Sequence, residues 1–359
     1  MTHIKVSAPG KLHLLGEHVV VYNKPAILAA VDKRCFIEIT PRKDSKIKVT
    51  SKNYHTSILQ SIEAIAKKFK KAQKDWETYN KNNDIVLLRS ITADPLDYPL
   101  IIVGQFLNYY RIKSIKGFDL NIDSQIPVGS GMGSSGALSV AIIGALSLFS
   151  GKPFVKKTIN EIAFLAEQKK HGKPSGGDNS TSCYGKLVWF KKDDPSAGSG
   201  QGGIKPLGFG VSEEITKNFY VINTGTPKET TGEMVSQVRD LFSKRELFVQ
   251  EVLDRQEELV KDLRLALEKN IPRQVPGIIK NGERNLEKLG VVSPFVRNLI
   301  RKIEVSGGAA KICGGGGVTK ATGMILIYHN NLQKLQKAIK SYRLNQSQLT
   351  LGVEGLREE

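Results

Sequence analysis

The chain has 359 residues, 40% of them hydrophobic and 25% charged, and a formal net charge of +18. Two lobes are expected, because that length exceeds what one hydrophobic core usually organises, and no apolar run is long enough to span a bilayer. The positive charge suits an anionic ligand, but it comes from scattered lysines with no zinc finger, aromatic RNA-binding signature or basic arm, so nucleic acid is not the expected partner.

The N-terminal stretch MTHIKVSAPGKLHLLGEH lacks the basic segment, apolar core and cleavage site of a secretion signal, and a cytoplasmic protein is expected. Cys35, Cys183 and Cys313 lie too far apart to suggest a disulfide framework or a structural zinc site. Alternation over 3–18 and 33–43 reads as strand. Residues 66–95 are basic and polar without a strong period, although AIAKKFKKAQK (64–74) places its lysines like the polar face of a helix. A helix is expected over 99–111, a strand over 117–126 and an apolar helix over 134–150.

Between that strand and that helix lies IPVGSGMGSSGAL (126–138). Glycines at 129, 131 and 133 let the backbone turn sharply and bring N–H groups against a ligand, while the helix that follows offers its positive end to an anion. Ser134 and Ser135 could donate to phosphate oxygens or ligate magnesium. A tight turn that only packs small residues would read the same in this segment alone, and neither the Walker pattern nor the dinucleotide fingerprint is present. Further along, 156–172 reads as an amphipathic helix stopped by Gly172, and DDPSAGSGQGG (193–203) as a flexible loop near a domain junction. Charged helices run from about 233 to 305. A second glycine cluster, KICGGGGVTKATG, occupies 311–323.

Four stretches resemble the GHMP small-molecule kinases in the order that family carries them, and within it most of all the mevalonate kinase branch. They are SAPGKLHLLGEHVVVYNKPAI (7–27), IPVGSGMGSSGALS (126–139), EQKKHGKPSGGDNS (167–180) and KICGGGG (311–317). The first and third discriminate: galactokinases differ after GEH, homoserine kinases lack the lysine and the HGKPSGGD-like stretch, and phosphomevalonate kinases usually carry tyrosine for the histidine of GEH. The resemblance implies an α+β, two-lobed GHMP kinase fold. Residues 1–205 would form a ribosomal protein S5 domain 2-like, ATP-binding lobe and 206–359 a ferredoxin-like lobe. It also implies transfer of the γ-phosphoryl group of ATP to the 5-hydroxyl of (R)-mevalonate, with Mg2+ as cofactor, ATP and mevalonate as partners, no membrane, and a homodimer left open.

Residue by residue, the resemblance makes Asp178 the catalytic aspartate that accepts or orients the hydroxyl proton and Lys11 the lysine beside it. Gly129, Ser130, Gly131, Met132, Gly133, Ser134 and Ser135 become the phosphate-binding loop. Ser135 and Glu167 become magnesium ligands, and Glu17, His18, Thr224, Gly315 and Gly316 substrate contacts. Without it, Glu167 reads as a solvated helix-end acid, Lys11 as a surface lysine and His18 as a satisfied core histidine, while His171 caps its helix. The second glycine cluster departs from the family, which commonly reads Thr-Gly-Ala-Gly-Gly-Gly-Gly directly before a strand; here Cys313 precedes a shorter run, and Lys320 could add a charge near the phosphates. Other acceptors stay open: phosphomevalonate, the 3-hydroxyl of mevalonate, or a sugar. A non-catalytic RNA-binding module is a further alternative, against which the joint presence of Lys11, Glu167 and Asp178 argues.

Overall fold

In the computed structural model, which describes residues 3–127, 129–192 and 203–359, the chain is built on two sheets. The flexible loop expected at 193–203 thus lies outside the described residues except for its last position. Strands β1 (Ile4–Leu15) and β2 (Ala26–Pro41) form a long antiparallel pair joined through a 3-10 turn at Val19–Tyr22. The hairpin β3 (Ile47–Ser51) and β4 (Thr56–Gln60) leads into α1 (Ile62–Asn82), α2 (Ile85–Ser90) and α3 (Asp97–Tyr109). Helix α1 starts where the Ser61 side chain accepts the Ala64 N–H, so much of the stretch read as lacking a period is helical. Its buried stripe of Ile65, Phe69, Ala72 and Tyr79 is narrow, and the lysines between these residues hide the period from a hydropathy reading.

Strand β5 (Phe118–Ser124) pairs antiparallel with β2 and parallel with β3. Helices α4 (Ser134–Phe149), α5 (Lys156–His171) and α6 (Gly177–Tyr184) follow, then β6 (Leu187–Lys191) and β7 (Gly203–Pro206), which extend the sheet from the other half of β2. Helix α4 is apolar almost all round because β1, β2, α3, α5 and α6 all contact it. Ala137, Val140, Ala141, Ile142 and Ile143 are consequently without exposure.

A short α7 (Glu213–Thr216) precedes β8 (Phe219–Asn223). Then come α8 (Thr231–Lys244), α9 (Glu246–Glu268), α10 (Val275–Lys288), α11 (Pro294–Val305), β9 (Ala309–Ile312), β10 (Met324–Tyr328), α12 (Leu332–Ile339) and β11 (Gln346–Gln348). The second sheet is antiparallel with order β11-β8-β10-β9, which is the fourth-first-third-second order of a ferredoxin-like lobe. Helix α9 serves both cores, with Val249, Val252 and Leu253 on the second and Val260, Leu263 and Leu267 on the first.

The chain then returns to the first sheet, where β12 (Arg357–Glu358) pairs with β1. Buried Arg34 fastens the return by donating to Ser7 Oγ at 2.6 Å and to the carbonyls of Glu354 and Gly355 at 2.8 and 2.7 Å. Among the described residues, no helix is long and apolar enough to cross a membrane.

Candidate active site

Strand β1 carries a register shift at Pro9/Gly10, immediately before Lys11. Such an irregularity re-aims the next side chain. The Lys11 N–H leaves the ladder to donate to the Met132 carbonyl at 2.8 Å, which ties the glycine loop to the strand. The Lys11 side chain is nearly buried, with Nζ 2.6 Å from Asp178 Oδ1 and 3.1 Å from His13 Nδ1. Asp178 sits in the first turn of α6, which begins after Gly176 in the left-handed region. Helices α4 and α6 approach so closely that a Cβ on Gly136 would lie 2.8 Å from the Asn179 nitrogen.

Burial pushes the Asp178 carboxyl up, but Lys11, and after it His171, outweigh this and hold it below the usual carboxylate range. It is an ionised carboxylate paired with an ammonium. Burial lowers His13 well below the ordinary imidazole range, helped by the positive Lys11 and Lys311 and by His18. The ring is therefore neutral. With the ammonium donating to Nδ1, its proton sits on Nε2.

Above this pair, Gly129, Gly131 and Gly133 take φ of +70°, +80° and +66°. Gly133 is the N-cap of α4 and supplies no side-chain cap, so first-turn N–H groups of the helix are left beside Lys11 and Asp178. The Ser130 hydroxyl donates to the Pro127 carbonyl at 2.6 Å, and the Met132 side chain is buried in the core. Those two side chains shape the loop.

Ser135 Oγ lies 3.0 Å from Glu167 Oε2 and 2.9 Å from His171 Nε2. The Tyr98 hydroxyl donates to Glu167 Oε1. Glu167 is 2% exposed, and burial pushes its carboxyl up; a cation beside it would offset that cost. His171, expected only to end its helix, reaches the Ser135 hydroxyl. Among the described residues, no group of three or more His, Cys, Asp and Glu is arranged to hold a metal. A hard cation here would have one carboxylate and one hydroxyl from the protein and take its other oxygens from a ligand or water.

The cleft next to Lys11 and Asp178 has a volume of about 490 Å³ and is walled by Gly129 to Gly131, His13, Glu17 and His18 on one side. Thr230, Thr231, Gly314 to Gly316, Thr322 and Gly323 wall it on the other. His18 has φ +60°, and its Nε2 donates to the Gly315 carbonyl at 2.9 Å. Burial depresses its pKa, so the ring is neutral and Nδ1, buried without a partner, is a free acceptor. Glu17 forms a fully buried ion pair with Lys311 through Oε1, while Oε2 has no partner.

Two residues of the sequence analysis stand off the cleft wall. Thr224 is not in the cleft wall: its hydroxyl donates to the Gly323 carbonyl at 2.8 Å and accepts from the Thr322 N–H at 3.0 Å, so it braces the loop that does line the cleft. Lys320 lies outside that wall as well, with Nζ 5.9 Å from the centre of the Phe295 ring. Conversely, His13, Tyr98 and Lys311 belong to the site although the sequence reading gave them no role. Only His13 left a signal, being two positions from Lys11 on one strand.

The model of the GHMP kinases N terminal domain matches residues 98–186, which include the glycine loop, Glu167 and Asp178. The chain is similar to the mevalonate kinase of Pyrococcus furiosus, 29% identical over 318 residues that cover 87% of this chain and 86% of that protein. Its structure is similar to the crystal structure of Methanococcus jannaschii mevalonate kinase, with a TM-score of 0.76, 23% identity and 98% of both chains covered. It is also similar to Lactococcus lactis galactokinase complexed with galactose, with a TM-score of 0.72, 16% identity and 99% and 95% of the chains covered. At those identities the two structures establish the fold alone.

Proposed function

The chain belongs to the GHMP kinases, and on that premise we propose that it transfers the γ-phosphoryl group of ATP to the 5-hydroxyl of (R)-mevalonate. The observation that carries this reading is the Lys11–Asp178 pair lying directly under a glycine loop whose helix N-terminus has no side-chain cap. In this reading residues 129–135 cradle the triphosphate through backbone N–H groups. Asp178 accepts the proton of the attacking hydroxyl, and Lys11 both keeps that carboxylate ionised and neutralises the developing alkoxide. His13 Nδ1 accepts from the same Lys11 ammonium that pairs with Asp178.

Ser135 and Glu167 are assigned to Mg2+, which when bound offsets phosphate charge; their oxygen chemistry fits a hard cation. Glu17, His18, Gly315 and Gly316 are assigned to the acceptor. Glu17 Oε2 and His18 Nδ1 are two unpaired acceptors suited to the hydroxyls of a small hydroxy acid. Most of the acceleration comes from holding hydroxyl and γ-phosphate in line and from neutralising charge. Residues 1–205 are taken as the ATP-binding lobe and 206–359 as the second lobe, with β12 returning to the first.

The test is an ADP-release panel with ATP, magnesium and each of mevalonate, phosphomevalonate, galactose and homoserine, the product position being read by phosphorus NMR. Magnesium-dependent release fastest with mevalonate, and phosphate on its 5-oxygen, is expected. Equal or faster turnover of phosphomevalonate or galactose removes the assignment, and phosphate on the 3-oxygen corrects the acceptor hydroxyl.

A further inference from the structure

Beneath the acceptor side of the cleft lies a group of buried charges of which the proposed reaction uses only Glu17. Lys311, on β9 of the second sheet, is fully buried, as is the Glu17 side chain that it pairs with from the first lobe. Its ammonium donates to Glu17 Oε1, to the Ile312 carbonyl at 2.7 Å and to the His13 carbonyl at 3.4 Å. An ammonium has three protons, and all three are committed within the protein. Lys311 therefore has none left for a ligand. Glu17 keeps one oxygen, Oε2, without a partner, and the residue lines the cleft.

Glu283 on α10 completes the group. Its Oε2 accepts the Ile312 N–H at 3.0 Å and its Oε1 has no partner. Burial pushes Glu283 up to about 8, partly opposed by the Ile312 N–H, so its carboxyl favours the protonated form beside the Lys311–Glu17 pair. Lys311 stays charged despite its burial because Glu17 is the neighbour that most favours the ammonium. A buried pair of this kind contributes little net stability compared with well-packed apolar residues, so its presence beside a binding cleft calls for a reason other than folding.

We propose that Lys311 is a positioning residue for the acceptor: by holding Glu17 Oε1 from the second lobe, it fixes the Glu17 carboxylate so that Oε2 is presented to a hydroxyl of the bound acceptor. This rests on the kinase reading above and adds a residue from the opposite lobe to it. The same lobe also holds His18 through the Gly315 carbonyl, so Glu17 and His18 are each set from across the cleft.

The test is steady-state kinetics on Lys311→Met, Glu17→Gln and the double variant. It uses whichever acceptor of the four-member panel the unaltered protein turns over fastest, so failure of the mevalonate assignment shows in the panel and failure of this inference shows in the variants. Lys311→Met is expected to raise the acceptor KM about tenfold or more and to leave the ATP KM within about twofold. In the Glu17→Gln background the same change should add nothing, because Lys311 acts through Glu17. A structural role would instead lower the folded fraction in every background with both KM values unmoved. Unchanged acceptor KM in Lys311→Met overturns the proposal, as does a further tenfold rise on adding Lys311→Met to Glu17→Gln. Should the single variant not fold, Lys311→Arg, which keeps the buried charge but moves its donors, stands in: an acceptor KM raised about tenfold with the ATP KM unmoved supports the proposal, and an unchanged acceptor KM overturns it.

Discussion

A Cβ added at Gly129 would meet nothing within 4 Å, and at Gly131 only the Cys313 carbonyl at 3.6 Å. At Gly316 it would lie 2.1 Å from the Val291 carbonyl, and at Gly317 2.5 Å from that of Ala321. Both loops line one cleft and both are rich in glycine, yet the reasons are opposite. The first needs glycine for its positive φ angles and is open on the side where a ligand would lie. The second needs glycine at 316 and 317 because the protein's own backbone already occupies the space there, although Gly314, at φ +90°, meets nothing within 4 Å. Composition alone does not separate a loop bared toward a ligand from one bared toward its own fold; the direction of the missing side chain does.

The largest effect should come from the filled loop. Gly316→Ala combines φ +79° with an overlap that only backbone movement can relieve, so unfolding free energy should fall by about 3 kcal/mol or more. Denaturant unfolding that shows no change would erase the contrast. Next come the two carboxylates under and beside the open loop. Asp178→Asn should lower kcat by a factor of about 10², roughly 2.7 kcal/mol, with nucleotide affinity nearly intact. Glu167→Gln should lose activity that partly returns as magnesium is raised. If a magnesium titration restores both alike, the division of labour between them is wrong.

At the open loop itself, Gly133→Ala meets no steric overlap, since Lys11 Cβ and Asp178 Cγ lie at 3.4 and 3.6 Å, but must hold φ +66°. Nucleotide binding should weaken by about 1 to 2 kcal/mol, with a smaller change in stability. Calorimetric titration giving unchanged ATP affinity would make this loop a packing element like the other. The smallest effect concerns Glu283, at the base of the filled loop. Its folded-state pKa of about 8 lies above the ordinary 4.5, so the folded protein binds the extra proton between those values. Its contribution to stability is therefore complete below about 4.5 and is lost as pH rises through about 8. Glu283→Gln should flatten that decline by a few degrees in Tm. A variant whose Tm falls with pH as steeply as the unaltered protein would show that this carboxyl is not the group titrating.

Much of the site was legible because its motifs are local. Lys11 follows a strand irregularity, Ser135 opens a helix, and Glu167 and Asp178 flank one short connection, so each is placed by residues near it in the chain. What escaped was set by distance along the sequence. Tyr98 meets Glu167 across 69 positions and Lys311 meets Glu17 across 294, and no periodicity records such pairs. Thr224 shows the same dependence: its segment runs toward the cleft, and the hydroxyl is taken up by the loop at Thr322 and Gly323, nearly a hundred positions on. The fold order was readable from α3 to α5, where α3 and α4 are long apolar runs and α5 carries an apolar stripe. It was obscured in α1, where lysines crowd a narrow buried stripe.

The return of β12 to β1 governs how the protein is made. Ser7 and Glu359 are hydrogen-bonded across 352 positions, so every element of the second lobe is synthesised before the outer edge of β1 finds its neighbour. A nascent chain that has emerged only through β7 carries β1 as an unpaired edge and Arg34 without the carbonyls of Glu354 and Gly355. Closing so long a loop is slow, and the exposed edge is a surface on which chaperones or other nascent chains can add a strand. The first lobe to leave the ribosome is thus the last to be completed, and residues 351–358 act as the clasp that ends its folding.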